Sequence, residues 1–339
     1  MHKALGRLLV GLILIVFLSG CQSLSFYSQS VVGHSRLMLS RQPLDEAIAT
    51  ANPELVEKLQ LSIELRQFAK TELDLPLNRS YTTYVPLEND YPVWVVIAAP
   101  QLSLTPKSWC YLVIGCAAYR GYYSKQAAMD YARQMQIRGW DTHVAGASAY
   151  STLGWFADPL LPSMMRGSNA EFAELLFHEL AHQRLYIKGN SSINEAMASV
   201  VGEQGTVLWL AHRKNELEAY KLSLLAHKQF TDLIVDLRTA LRDLYAKRSS
   251  KADKLVNKEA LFEQFRYHYR VLKESKWHGK GFYDGWVNGP LNNAKVAAFS
   301  TYTEHKPKFE RLLKMCDNDF KRFFENVHRT GGKLDGICE

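Results

Sequence analysis

The five residues His178-Glu179-Leu180-Ala181-His182 combine two imidazoles four positions apart with a carboxylate beside the first. On a helix, positions four apart lie one turn over the other on a single face, the geometry that one tetrahedral Zn²⁺ requires of two histidine ligands. Glu179 then falls next to the pair, where a carboxylate can take a proton from a water molecule. Five letters with two unconstrained occur by chance in many chains, and a histidine or glutamate on a helix is usually solvated or satisfied in a core. The flanks weigh against chance here. Phe172, Leu175, Leu176, Phe177, Leu180, Ala181 and Leu185 make the helix apolar around much of its circumference. His178, Glu179 and His182 would therefore be partly buried polar groups in need of partners, and a metal ion is an economical one.

A zinc site is catalytic when three protein ligands leave one position open, and the third ligand is sought just downstream. After His182 the helix can run to about Lys188, Gly189-Asn190 is a helix stop, and Ser191 or Ser192 is placed to cap a second helix. A short turn makes the two helices neighbours, and Glu195, in the first turn of the second, can aim back at the imidazoles. Ser192-Ile193-Asn194-Glu195 also fits a capping box, with Glu195 bonding its own N-cap amide; the local pattern does not choose between the two. Glu203, two turns further along the same helix, is a rival ligand.

HELAH at 178–182 followed by NEAMA at 194–198 resembles the zinc signature of the gluzincin peptidases, the aminopeptidase N and thermolysin group. In that group HExxH is completed by a Glu within an N-E-x-x-A-like segment of the next helix. The resemblance implies Zn²⁺ held by His178, His182 and Glu195, with Glu179 as general base. Nearly the whole chain is also similar to a bacterial family of predicted aminopeptidase lipoproteins. Its segments AYSTLGWFADPLLPSMM (149–165), LLFHELAHQRLYIKGN, INEAMA, WCYLVIG and LNNAKVAAFSTY (291–302) carry the likeness. The implied fold is α+β and predominantly helical, a zincin-like (gluzincin) metallopeptidase core with a small mixed β-sheet.

The elements that must position these residues follow in chain order. His2, Lys3 and Arg7 precede an apolar run, Leu8 to Leu18, too short to span a membrane. Leu18-Ser19-Gly20-Cys21 resembles a lipobox, so residues 1–20 read as a lipoprotein signal peptide and Cys21 as the lipidated residue. Gln22 is not the Asp that retains such lipoproteins at the inner membrane, and the outer membrane facing the periplasm is expected. The chain of 339 residues, 47% hydrophobic, can bury a sizeable core. Its net charge of +7 includes Lys3 and Arg7, and the remainder is spread too evenly for nucleic-acid binding. The partners expected are a peptide substrate and the membrane, through the anchor; no protein partner is indicated. Cys110, Cys116, Cys316 and Cys338 allow disulfides in three connectivities, of which 110–116 with 316–338 closes the shortest loops.

Residues 21–92 read as a tether and a helical hairpin over 26–72 interrupted by Pro43 and Pro53, then a Pro-, Asn- and Tyr-rich connection from Leu73 to Pro92. Residues 93–165 hold the β-structure: strands are expected at Val93–Ala98, Trp109–Ile114, Trp140–Ala145 and Ala149–Phe156, with a helix over Ser124–Arg138 closed by Gly139. Residues 166–339 form the helical zinc-site region, with helices over 205–248, 251–276, 291–302 and 306–328 and a glycine-rich loop at 277–290.

By the same resemblance, an edge strand along the cleft would pair with an extended peptide, and 151–156 lies where that strand is expected, Gly154 admitting a close backbone approach. Gly154 serves equally as a turn glycine. The tetrahedral oxyanion needs a donor besides the metal; Tyr302 is the candidate, with Tyr283 behind it. Asp158, Glu171 and Glu174 are available to bind a substrate's α-amino group, and none is singled out. The expected function is a zinc aminopeptidase acting on envelope peptides. A metalloendopeptidase and a non-catalytic binding or assembly lipoprotein on the same fold are the alternatives.

Overall fold

The computed structural model of the protein describes residues 28–111, 115–149, 157–299, 305–332 and 338. A helix over 28–39 (α1) leads into the short strand β1 (Gln42–Pro43), helices α2 (Leu44–Thr50) and α3 (Pro53–Glu72), and β2 (Thr83–Tyr84), which pairs with β1. Prolines set the breaks. Pro53 occupies the first turn of α3, where its missing N–H costs nothing, and Asn52 caps that helix by accepting from the Leu55 N–H. The stretch expected as a hairpin is thus divided into three helices.

The β-region comprises β3 (Val93–Pro100), β4 (Trp109–Tyr111), β5 (Gly115–Ala117), β6 (Arg120–Tyr122), helix α4 (Lys125–Ile137) and β7 (Trp140–Ala147). Among the described residues its sheet is antiparallel where a mixed one was expected: β3 is central and antiparallel to both β6 and β7. The sequence β6–α4–β7 reads as a parallel strand-helix-strand unit, but β3 is inserted between the two strands, so they never pair with each other. The one parallel pairing among the described residues is the Tyr84–Leu160 bridge. α4 lies across this sheet, capped by Ser124 and followed by Gly139 at φ +82°, with Ala128, Ala132 and Met135 buried. Of the strand expected at Trp109–Ile114, Trp109–Tyr111 forms β4 and residues 112–114 lie outside the described residues; β4 pairs with β5, which sets Cys110 opposite Cys116 in a disulfide.

A 3-10 turn (Pro162–Met164) precedes the helical region: α5 (Asn169–Arg184), α6 (Ser191–Trp209), α7 (Lys214–Ala246), α8 (Lys251–Lys276), α9 (Asp284–Val287), α10 (Asn293–Phe299), α11 (Lys306–Met315) and α12 (Phe320–Thr330). The main core joins α3, α5, α6, α11 and α12, while α7 to α10 close around a second, aromatic-rich cluster centred on Phe230. The expected helix over 205–248 is two helices, Gly205 lying inside α6. α11 and α12 break at Asp317 and Asn318, both left-handed (φ +57° and +60°), and the Cys316–Cys338 disulfide fastens that corner. Among the described residues no helix is long and apolar enough to cross a membrane.

Small residues let α5 and α6 touch. A Cβ on Gly202 would stand 2.7 Å from the Glu174 carbonyl and 3.3 Å from His178 Cβ, and one on Gly205 would meet Leu73 and Phe177. Their close approach brings the two halves of the site within ligand distance.

Candidate metal centre and its base

α5 opens with a capping box: Ser168 Oγ accepts from the Glu171 N–H at 3.2 Å, and Glu171 Oε2 accepts from the Ser168 N–H at 2.7 Å. The S-x-x-E motif at 192–195 does not form one. Asn190 caps α6 instead, accepting from the Ile193 N–H, which leaves the Glu195 carboxylate free to turn outward. α5 also stops at Arg184 rather than near Lys188, because Asn194 clamps the connection. Its side chain accepts from the Ile187 N–H and donates to the Ile187 carbonyl, each at 2.8 Å. With Gly189 at φ +80° the chain reverses tightly, and Glu195 faces α5.

The outcome is a triangle of ligand atoms. His178 Nε2 and His182 Nε2 are 3.1 Å apart, and Glu195 Oε2 stands 3.3 Å from the first and 3.5 Å from the second. Tetrahedral zinc with bonds of about 2.0–2.1 Å sets its ligand atoms about 3.3–3.4 Å from one another, so this donor set fits such an ion without rearrangement. Two imidazole nitrogens and one carboxylate oxygen also match zinc's ligand preferences. His182 is 6% exposed, and among the described residues its Nδ1 finds no hydrogen-bond partner.

Electrostatics follow from burial and proximity. Burial opposes a charge on Glu195, yet the hydrogen bonds and charges of His178 and His182 outweigh it and hold the carboxyl at about 2. Burial likewise opposes protonation of His178, but the Glu195 bond and the charges of Glu179, Glu195 and Glu174 raise its pKa above the usual value. Glu179, 9% exposed, is raised by burial and by Glu195 and Asp158, against the lowering influence of the two histidines. A buried carboxylate beside the ligand triangle, with an elevated pKa, has the character of a proton acceptor that can also return its proton.

Around this centre lie groups that the sequence pattern did not connect. One turn before His178, Glu174 accepts from the Tyr220 hydroxyl at 2.8 Å; burial and the charge of Glu203 push it up to about 7. Glu203, the rival ligand, stands outside the triangle and pairs with Lys306. The hydroxyl of Tyr283 is 2.8 Å from His227 Nδ1 and its ring stacks on Phe230 at 3.9 Å between centroids. Asp158 and Tyr81 are both buried, and burial, followed by the charges of Glu179 and Asp158, raises the pKa of the Tyr81 hydroxyl. Lys306, Tyr220 and Tyr81 come from segments between 81 and 306 with no motif spacing that relates them to 178–195. Gly154, Tyr302 and Cys21 lie outside the described residues, as does the strand segment 150–156.

A family model described as "Putative aminopeptidase" matches residues 25–334. No curated protein and no solved structure matches the chain. The chain belongs to that aminopeptidase family.

Proposed function

We propose that this member of the family is a zinc peptidase that removes residues from the N-termini of peptides, with His178, His182 and Glu195 as metal ligands. The observation that carries the reading is the triangle of Nε2, Nε2 and Oε2 atoms at 3.1–3.5 Å, sized for one tetrahedral ion. A bound zinc supplies Lewis acidity towards the scissile carbonyl and lowers the pKa of water towards neutrality. Glu179 takes the proton of the attacking water and hands it to the leaving amine. Burial supports both halves of that task by raising its pKa above that of a solvated carboxylate. Glu195 remains ionised under all ordinary conditions and keeps the two imidazoles oriented.

Removal from the N-terminus calls for carboxylates that receive an α-amino group. Glu174 and Glu203 supply them, beside His178 and deep between α5 and α6. Lys306 already balances Glu203, while Glu174, near half-ionised at neutral pH, would be drawn to full ionisation by an arriving ammonium group. Tyr302 remains the proposed oxyanion donor and Gly154 the proposed point of close substrate approach. The lipobox-like Leu18-Ser19-Gly20-Cys21 supports a lipid anchor at Cys21 and a place at the outer membrane facing the periplasm; the 110–116 and 316–338 disulfides suit an oxidising compartment.

The test sets wild type and Glu179→Gln, both assayed for zinc, against aminoacyl chromogenic amides and internally quenched peptides. Release from the amides by the wild type alone supports the reading. Release only from the quenched peptides makes the protein an endopeptidase. No release from either, with zinc bound, leaves a binding or assembly role on the same fold.

A further inference from the structure

Tyr81 is costly in two separate ways. Its backbone is left-handed (φ +59°), a conformation bulky side chains rarely adopt, and its hydroxyl is buried without a hydrogen-bond partner among the described residues. Either feature alone is uncommon, and both fall on one residue of a segment fastened to α5. Strain of this sort persists where surrounding contacts over-determine the backbone, and here they do. The segment is pinned along the C-terminal half of α5: Asp74 receives the Arg184 guanidinium at 2.8 Å, and Asn78 donates to Gln183 Oε1 at 2.7 Å. Gln183 is one turn beyond Glu179 on the same helix face. Three residues after Asn78, the Tyr81 N–H donates to the Asp158 carbonyl at 2.6 Å, and Asp158 N–H donates to Ser80 Oγ at 3.3 Å. The backbone is thereby fixed on both sides of Tyr81, and its segment is held against the turn of α5 that follows Glu179. The charge of Glu179, followed by that of Asp158, bears on the Tyr81 hydroxyl.

A phenylalanine would fill the same space and leave no orphaned group. The hydroxyl therefore needs a reason that packing does not give. We propose that Tyr81 is a positioning residue for the base: in the working site its hydroxyl donates to the Glu179 carboxylate and fixes the direction from which that carboxylate meets a water molecule. The inference rests on the peptidase reading above, since it gives Glu179 its task.

The experiment compares wild type, Tyr81→Phe, Glu179→Gln and the double variant, each in the full chain. With aminoacyl amides, Tyr81→Phe should lower kcat about 10- to 100-fold with KM unchanged, and should move the acid limb of the pH–rate profile upward as the base loses a donor. In the Glu179→Gln background it should cost nothing further, because it acts through Glu179. A readout independent of turnover is the melting temperature of the metal-free chain, which Tyr81→Phe should leave equal or raise by a few degrees, since it deletes an unpaired buried hydroxyl. An unchanged kcat overturns the inference, and so does a lowered melting temperature, which would show the hydroxyl to be a structural bond. A wild type that binds no zinc and releases nothing removes the peptidase reading and this inference with it, an outcome distinct from failure of Tyr81→Phe alone.

Discussion

Two buried polar clusters in this molecule are built on opposite principles. Between α8 and the sheet, Lys258 Nζ donates to Asp141 Oδ2 at 2.5 Å and to the Gln101 carbonyl at 3.0 Å. Asn293 completes the arrangement with its N–H to Asp141, its amide to the Pro100 and Gln101 carbonyls, and its Oδ1 taken by the Tyr245 hydroxyl. Charges of opposite sign meet, and each donor finds an acceptor. Between α5 and α6 the bonding is incomplete. Two ring nitrogens face each other at 3.1 Å, and among the described residues the His182 Nδ1 and the buried Tyr81 hydroxyl find no hydrogen-bond partner. The closed cluster satisfies itself and fastens helix to sheet; the open one retains unmet bonding capacity at the proposed metal site.

The largest expected difference between the clusters is in rate. Glu179→Gln should reduce kcat on aminoacyl amides by about 10²- to 10⁴-fold while zinc content, read by elemental analysis, stays at the wild-type level. Lys258→Ala strikes the closed cluster and should do the opposite. It strands Asp141 as a buried charge, costing about 3–5 kcal/mol of stability in denaturant unfolding, with zinc content unaltered in the folded fraction.

A pH-dependent contrast comes next. The folded-state pKa of Glu174, about 7, lies above its unfolded value, so the stability it confers is complete below pH 4.5 and is lost as pH rises through 7. Glu174→Gln should therefore stabilise the metal-free chain at pH 8 relative to wild type by up to about 3 kcal/mol and give no such gain at pH 4. Equal effects at both pH values would show that the carboxyl is solvated. The smallest effect is geometric. Gly202→Ala forces α5 and α6 apart at the Glu174 carbonyl and His178 Cβ, and should cost about 1–3 kcal/mol with weaker zinc retention in competition with a chelator.

The open cluster was legible in the sequence because its logic is local. Two histidines one turn apart, a glycine-bearing stop and a glutamate at the start of the next helix are all short-range facts, and the structure brings His178, His182 and Glu195 together. The finer features depend on contacts that no short pattern encodes. Asn194 ends α5 early by clamping Ile187, and Asn190 displaces the serines as the cap of α6. The sheet's antiparallel order depends on β3 lying between strands that are closer to each other in sequence. Tyr81 sits in a stretch read as a connection, nearly a hundred positions before Glu179, and only the bonds of its segment to Asp158 and α5 bring it to this part of the fold. Lys306 and Tyr220, which compensate Glu203 and Glu174, lie 103 and 46 positions from them.

The measurement that bears most directly on the account is the zinc content of the purified chain beside that of Glu195→Ala. A single equivalent of zinc in the wild type, lost from the variant while both remain folded, is the predicted result. A folded wild type that takes up no zinc, or a Glu195→Ala chain that holds it just as tightly, would contradict the assignment of the triangle as a metal site.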